Sequence, residues 1–207
     1  MTNKKKYWDS FYSLKPKKLN KHSMFAEFCN PLLVKDKIDR LIDFGCGNGR
    51  DSYFFLDQGL KVLSIDSSTN AIIEATKKCS NFSEHKTLVM DVTKKKLNLE
   101  LFDDDNFALY ARFFIHTLSD DEIKIFFKNC FHCMNNKTKL YIEYRTKKDL
   151  NRKKETTTHF RNYIDPNKIK EIASDNKMKC IYENEGTGMA IWLNDDAYVS
   201  RQIFIKI

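Results

Sequence analysis

The sequence predicts an α/β chain with a doubly wound, mostly parallel sheet. From residue 38 onward, short apolar runs alternate with amphipathic stretches, as buried parallel strands alternate with helices. The decapeptide Leu41-Ile42-Asp43-Phe44-Gly45-Cys46-Gly47-Asn48-Gly49-Arg50 runs from an apolar strand through three alternating glycines into a polar, helix-like stretch. The chain then ends in two β-rich runs that read as an antiparallel hairpin.

Each element follows from its own signal. Strands are expected at 39–44, 61–65, 86–90, 107–112 and 138–145, with helices at 50–58, 69–79 and 119–134. Ser119-Asp120-Asp121-Glu122 supplies an N-cap and first-turn acids for the last of these helices. Pro166 opens a helix at 166–175, and the β-rich runs follow at 178–183 and 197–206. Ala190-Ile191-Trp192-Leu193 before Asn194-Asp195-Asp196 suggests a further strand and turn. Residues 146–162 are polar, with Lys147-Lys148 and Arg152-Lys153-Lys154, and read as a mobile insert. Tyr7, Trp8, Phe11 and Tyr12, then Met24, Phe25 and Phe28, recur at near-helical spacing and predict a helical lid over 7–30. Residues 1–37 are thus a basic arm with a lid, and 38–207 one domain.

Composition narrows the partners. At 207 residues the chain suits one α/β domain, and 42% hydrophobic content with only three prolines argues against extensive disorder. No run approaches the ~18 apolar residues of a membrane span. No secretory leader pattern opens the chain, so a cytoplasmic protein is expected. Six of the eight net positive charges fall in residues 1–21, where seven lysines face one aspartate. That is an arm, not the basic face of a nucleic-acid platform, and no nucleic-acid partner is expected. Cys130-x-x-Cys133 lacks a second Cys/His pair to complete a zinc site, so no metal is expected.

The glycine turn carries the chemistry. Glycine serves where backbone takes positive φ or must approach a ligand closely, and a strand–turn–helix offers N–H groups to a bound nucleotide. Asp66 closes the next apolar run, 21 residues after Gly45, where an acid can accept hydrogen bonds from both ribose hydroxyls. The pattern Gly-Cys-Gly-Asn-Gly-Arg is not the G-x-G-x-x-G of a dinucleotide fold, and it lacks the Gly-Lys-Ser/Thr of a P-loop.

The turn instead resembles motif I of the class I S-adenosylmethionine-dependent methyltransferases, with Asp66 similar to the acid of their motif II. Met90-Asp91-Val92 is similar to their third motif. That resemblance runs from about residue 38 to the C-terminus. It implies a Rossmann-like, seven-stranded sheet with a C-terminal antiparallel hairpin. It also implies S-adenosyl-L-methionine as cofactor, held by Asp43, Gly45, Cys46, Gly47, Arg50, Asp66, Ser67, Asp91, Val92 and Ala111, the Cys46 thiol being structural.

Ligands in an open α/β sheet sit at the carboxyl ends of its strands. Past the strand at 107–112 stands Ala111-Arg112-Phe113-Phe114-Ile115-His116, and past 138–145 stand Glu143-Tyr144-Arg145 and then His159-Phe160-Arg161-Asn162-Tyr163. Arg112, Arg145, Arg161 and Tyr163 are expected to bind substrate, the arginines as a clamp for phosphate or carboxylate. His116 is the first candidate base or orienting group and His159 the second, with Arg112 counted alongside them. An Asn/Asp-Pro-Pro-Tyr motif and a cysteine nucleophile after these strands are both absent from the sequence. Gly47–Ser52, Ala111–His116 and the late His159–Asp165 stretch resemble small bacterial methyltransferases of surface-polysaccharide clusters, including those acting on capsule phosphoramidate. This implies O-methylation of a small anionic carbohydrate or phosphoryl acceptor. A second resemblance, through the Gly-Arg after motif I, is to tellurite- and thiopurine-type detoxifying methyltransferases. A nucleic-acid-associated binding module is the other alternative, and the oligomeric state stays open.

Overall fold

A computed structural model describes residues 3–13, 21–94, 106–155 and 160–207, with the side chains of 3–5 left aside. The chain divides into two compact units, Met1–Asp91 and Val92–Ile207.

The first unit holds α1 (Asn3–Ser13), α2 (Met24–Lys35), β1 (Arg40–Phe44), α3 (Arg50–Asp57), β2 (Lys61–Asp66), α4 (Thr69–Lys78) and β3 (His85–Val89). Its strands are parallel in the order β3-β2-β1, with Ile42 opposite Leu63 and Ser64 opposite Thr87. The apolar runs of β1 and β2 are almost wholly buried, whereas β3 is half-exposed along its length. That difference explains why β3 carries His85, Lys86 and Thr87. Ser23 and Ser68 cap α2 and α4 by accepting from the N–H groups of Ala26 and Ala71. Asp51 at the start of α3 accepts from both the N–H and the Oγ of Ser23, at 2.7 Å each, and fastens the entry of α2 to α3.

The second unit holds β4 (Phe107–Arg112), α5 (Asp120–Cys133), β5 (Lys139–Arg145), α6 (Pro166–Asp175), β6 (Met178–Gly186), β7 (Ile191–Trp192), β8 (Asp195–Asp196) and β9 (Val199–Lys206). Its main strands run β4-β5-β9-β6: β4 and β5 are parallel, and β9 is antiparallel to both β5 and β6. A full capping box, Ser119 with Glu122, starts α5, and Pro166 follows the N-cap Asp165 at the start of α6. The strand expected near 190–193 is one arm of a two-residue pair, β7 with β8.

One expectation is corrected. Residues 146–155, read as part of a mobile insert, are anchored: Lys147–Asp149 form a 3₁₀ turn, and Thr146 bridges to Ile164. The Asp149 side chain is buried, bound by Arg145 at 2.7 Å and by the Tyr198 N–H at 2.8 Å. Lys147, Lys148, Arg152 and Lys153 are exposed, as their polarity suggests, and the buried Thr146 and Asp149 anchor the segment. Among the described residues no helix is long and apolar enough to cross a membrane.

Candidate cofactor and acceptor sites

In the first unit the chain leaves β1 through Gly45, Gly47 and Gly49, whose φ values are 68°, 57° and 73°. All three lie in the left-handed region that side chains rarely adopt. Gly45 and Cys46 donate their N–H groups to the Ile65 carbonyl, at 2.8 and 3.2 Å, and Gly49 donates to the Cys46 carbonyl at 3.1 Å. A Cβ on Gly49 would stand 2.9 Å from the Ala75 Cα, so this glycine lets α4 pack on the turn. A Cβ on Gly47 would collide with the Tyr12 hydroxyl, so the α1 aromatic lies directly over the turn. Tyr12 was legible only as a lid aromatic. Its closeness to Gly47 is a long-range contact with no local signal.

Asp66, at the end of β2, gathers the turn. Its Oδ2 accepts from the Gly47 N–H at 3.1 Å and its Oδ1 from the Ser68 N–H at 2.8 Å, and the Ser67 N–H also faces it. Burial pushes this carboxyl up to about 6 despite those donors. Asp43, the last-but-one residue of β1, is buried and accepts from Ser52 Oγ at 2.6 Å; burial pushes it up to about 7. Both acids are raised above their ordinary value of 3.8, so the folded state binds their protons more tightly than the unfolded chain does. They therefore remove stability as pH rises from about 4 through 6 and 7, a cost that a bound cation would offset. Arg50 reaches the Lys21 carbonyl at 3.4 Å. Burial pushes the Cys46 thiol well up, and it points to the Gly47 carbonyl, in accord with a structural role.

α1 is latched to the start of α4. The Asp9 carboxylate accepts from Ser68 Oγ at 2.6 Å, and Asn70 Nδ2 donates to the Asp9 carbonyl at 3.0 Å. The latch is one residue from Ser67 and two from Asp66. Asp91 is half-buried at the end of the unit. Val92 and Ala111 are buried in the second unit, where the Val92 carbonyl accepts from Asn129 Nδ2 at 2.7 Å.

The acceptor residues of the second unit cluster at the ends of β4 and β5. Glu143, fully buried, accepts from Arg112 Nε at 2.9 Å and from Arg201 Nε at 2.8 Å. Phe113 follows at φ 52°, rare for so bulky a residue, and its ring lies under Arg112 at 4.2 Å and Arg145 at 5.3 Å. The His116 ring meets it edge-on at 5.1 Å.

The three-arginine clamp is corrected in one member. Arg145 donates to Asp149 at 2.7 Å and Asp195 at 2.6 Å, all three side chains being nearly inaccessible. Burial opposes its charge, yet Asp195 and Asp149 outweigh that and hold its pKa above the ordinary value. A guanidinium neutralised by two buried carboxylates is a structural strut and has little left for an anion. The acids come from 4 and 50 residues away, too dispersed to be paired by reading the sequence. Arg161 and Tyr163 are half-buried, the latter under Lys154 at 5.2 Å. His159 lies outside the described residues.

His116 is buried, its Nδ1 facing the Arg145 N–H at 3.4 Å. An accepting Nδ1 puts the proton of the neutral ring on Nε2, so the ring presents a donor there.

Comparison with known proteins bears on these sites. Residues 41–137 match a family model described as a methyltransferase domain. The match spans the glycine turn, Asp66, Asp91, Arg112 and His116 of this chain. The fold is the Rossmann-like α/β fold with a seven-stranded, mostly parallel sheet, plus the small β7–β8 pair. Similar solved structures include a methyltransferase from Anabaena variabilis (TM-score 0.73, 15% identity, 100% of this chain and 96% of that one). A TehB-like methyltransferase from Corynebacterium glutamicum has a TM-score of 0.70 at 15% identity, over 96% and 98% of the two chains. Magnesium protoporphyrin IX methyltransferase from Synechocystis, solved with bound S-adenosylmethionine, has a TM-score of 0.65 at 14% identity, over 88% and 78%. No curated protein sequence matches the chain.

The first unit fits S-adenosylmethionine: a glycine turn with no room for Cβ at Gly47, beside the buried Asp43 and the half-buried Asp66. Asp66→Ala is expected to weaken S-adenosylmethionine binding by roughly 3 kcal/mol or more, about a hundredfold, since it removes a charge-assisted acceptor and releases the Gly47 N–H. Calorimetry gives the affinity directly, and an unchanged value would move the ribose-binding acid elsewhere.

Proposed function

We propose that this chain is an S-adenosylmethionine-dependent methyltransferase that O-methylates a small anionic acceptor, a carbohydrate or phosphoryl group of phosphoramidate type, in capsule or surface-glycan biosynthesis in the cytoplasm. The observation that carries the reading is the end of β4 and β5, where Glu143 orients Arg112 and the Phe113 ring packs against both Arg112 and His116. The cofactor supplies a methyl group already activated on a sulfonium. The protein's own work is then to orient an acceptor oxygen and exclude water. Arg112, with Arg161 and Tyr163, binds the anion, and His116 donates to one of its oxygens. An ionised phosphoryl oxygen needs no base; an alcohol would need His159 to take its proton, since His116 with Nδ1 accepting already carries a proton on Nε2. Gly45, Gly47, Asp66, Ser67, Asp43, Arg50, Asp91 and the backbone of Cys46 hold the cofactor. Residues 1–37 serve as a lid on the domain at 38–207, which the packing of Tyr12 on the glycine turn supports.

Arg112→Ala is expected to leave cofactor affinity nearly intact while transfer to an anionic acceptor falls at least ~10-fold, and Lys at 112 should rescue poorly because an ammonium cannot reproduce the guanidinium fork. A small, pH-insensitive fall in kcat for His116→Ala marks an ionised acceptor; a large fall for His159→Ala that shrinks at acid pH, where the parent's base is itself protonated, marks an alcohol. A screen in which only neutral compounds, or only the soft sulfur and tellurium anions of detoxifying enzymes, are methylated would overturn the proposal.

A further inference from the structure

Four side chains of the first unit form an unbroken line that cofactor binding alone does not account for. His85 Nε2, on the first residue of β3, is 2.9 Å from Ser64 Oγ in the middle of β2. Ser64 Oγ is 2.8 Å from Ser52 Oγ on α3, and Ser52 Oγ is 2.6 Å from Asp43 Oδ2 on β1. Ser52 and Ser64 are completely buried.

With Asp43 ionised, the direction of every bond follows. An ionised carboxylate only accepts, so Ser52 donates to Asp43. A hydroxyl has one proton, so Ser64 donates to Ser52, and His85 must then donate its Nε2–H to Ser64. Three donors are thus aligned toward one buried acid, each polarising the next. The packing does not ask for these residues: Ser64 sits between Leu63 and Ile65 in a buried parallel strand, where an unbonded hydroxyl would be costly.

We propose that His85, Ser64 and Ser52 are positioning residues that hold Asp43 as an oriented anion for capture of the cationic cofactor. This rests on the cofactor reading above and extends it to residues remote from the glycine turn. Asp43 is also faced by Asp51 and Arg50 of α3, Asp66 of β2, Tyr12 of α1, Cys46 of the turn and Cys79 beyond α4. Of these only Arg50 is cationic, so most of its surroundings oppose ionisation and the hydroxyl chain helps to hold its charge. Burial pushes Asp43 up to about 7 and Asp66 up to about 6, whereas burial lowers His85. Cofactor affinity therefore rises with pH in two steps, and below the upper one binding expels a proton.

The test is calorimetry of S-adenosylmethionine on the full chain from about pH 5 to about pH 9, in buffers of differing ionisation enthalpy. The parent is compared with Ser64→Ala, His85→Ala and His85→Gln, each first checked for folding by thermal unfolding. Ser64→Ala and His85→Ala should move the upper midpoint upward by about half a pH unit, roughly a threefold loss of affinity below it, and leave the lower step in place. His85→Gln, whose amide can still donate to Ser64, should return toward the parent. Superimposed profiles for all the variants overturn the inference, as does His85→Gln matching His85→Ala. A parent that binds no S-adenosylmethionine at any pH fails the cofactor reading itself, an outcome distinct from binding with superimposed profiles.

Discussion

Arg145→Met is expected to destabilise the protein by about 3–5 kcal/mol, the usual cost of breaking a buried ion pair from one side. Arg145 bridges Asp149 and Asp195 at 2.7 and 2.6 Å, and those carboxylates have side-chain exposures of 0% and 2%. Methionine fills similar volume, so the loss is chiefly electrostatic: among the described residues the two buried negative charges would keep the N–H groups of Tyr198 and Glu155 and, as a cation, Lys154, whose Nζ is 3.7 Å from Asp149. For a domain of this size the fall in Tm is roughly 10 °C. Denaturant unfolding measures it, and the triple change Arg145→Met, Asp149→Asn, Asp195→Asn should recover much of the loss by removing the orphaned charges. Loss of less than about 1 kcal/mol would mean that solvent reaches the cluster. The same measurement separates two roles for Arg145, because a residue that bound the acceptor would lower transfer with little effect on unfolding.

What the sequence revealed follows from what is local in it. The parallel strands were legible because each is a short, fully apolar run between polar turns, and the glycine turn because positive φ at 45, 47 and 49 restricts residue choice. The Ser119 cap marked the start of α5, and Pro166 that of α6, because the first turn of a helix also restricts residue choice. What stayed hidden was the pairing of distant polar groups: Asp9 with Ser68, 59 residues apart, Arg145 with Asp195, 50 apart, and Ser64 with His85, 21 apart. Periodicity carries no trace of such contacts. Two consequences follow. A polar stretch at 146–155 read as mobile when buried ion pairs anchor it, and an arginine read as a ligand when it is a strut. The acids that neutralise Arg145 were visible only as turn formers, as Asn194-Asp195-Asp196, and as one charge in a lysine-rich run, as Asp149.

Gly47→Val should abolish cofactor binding, a fall in affinity of a hundredfold or more, while the domain remains folded. Two separable costs act at this position. The backbone has φ 57°, which a β-branched residue resists by about 1–2 kcal/mol, so the turn would shift and draw its N–H away from Asp66 Oδ2, now 3.1 Å distant. The new Cβ would also meet the Tyr12 hydroxyl, driving α1 off the turn. Gly49 provides the contrast, because its Cβ would strike the Ala75 Cβ at 2.8 Å and Cα at 2.9 Å within α4, and backbone cannot step aside as a phenol can. Gly49→Ala should therefore lower stability, by the 1–3 kcal/mol typical of overpacking, with binding lost only in proportion. The double variant Gly47→Ala, Tyr12→Ala divides the two costs at Gly47. It restores space and leaves the strained φ, so affinity should recover in part if the collision matters and not at all if backbone shift alone decides. Calorimetry with S-adenosylhomocysteine, alongside thermal unfolding of each variant, reads both quantities. A folded Gly47→Val protein that binds as tightly as the parent would mean that the cofactor does not lie against this turn, and the assignments of Asp43 and Asp66 would fall with it.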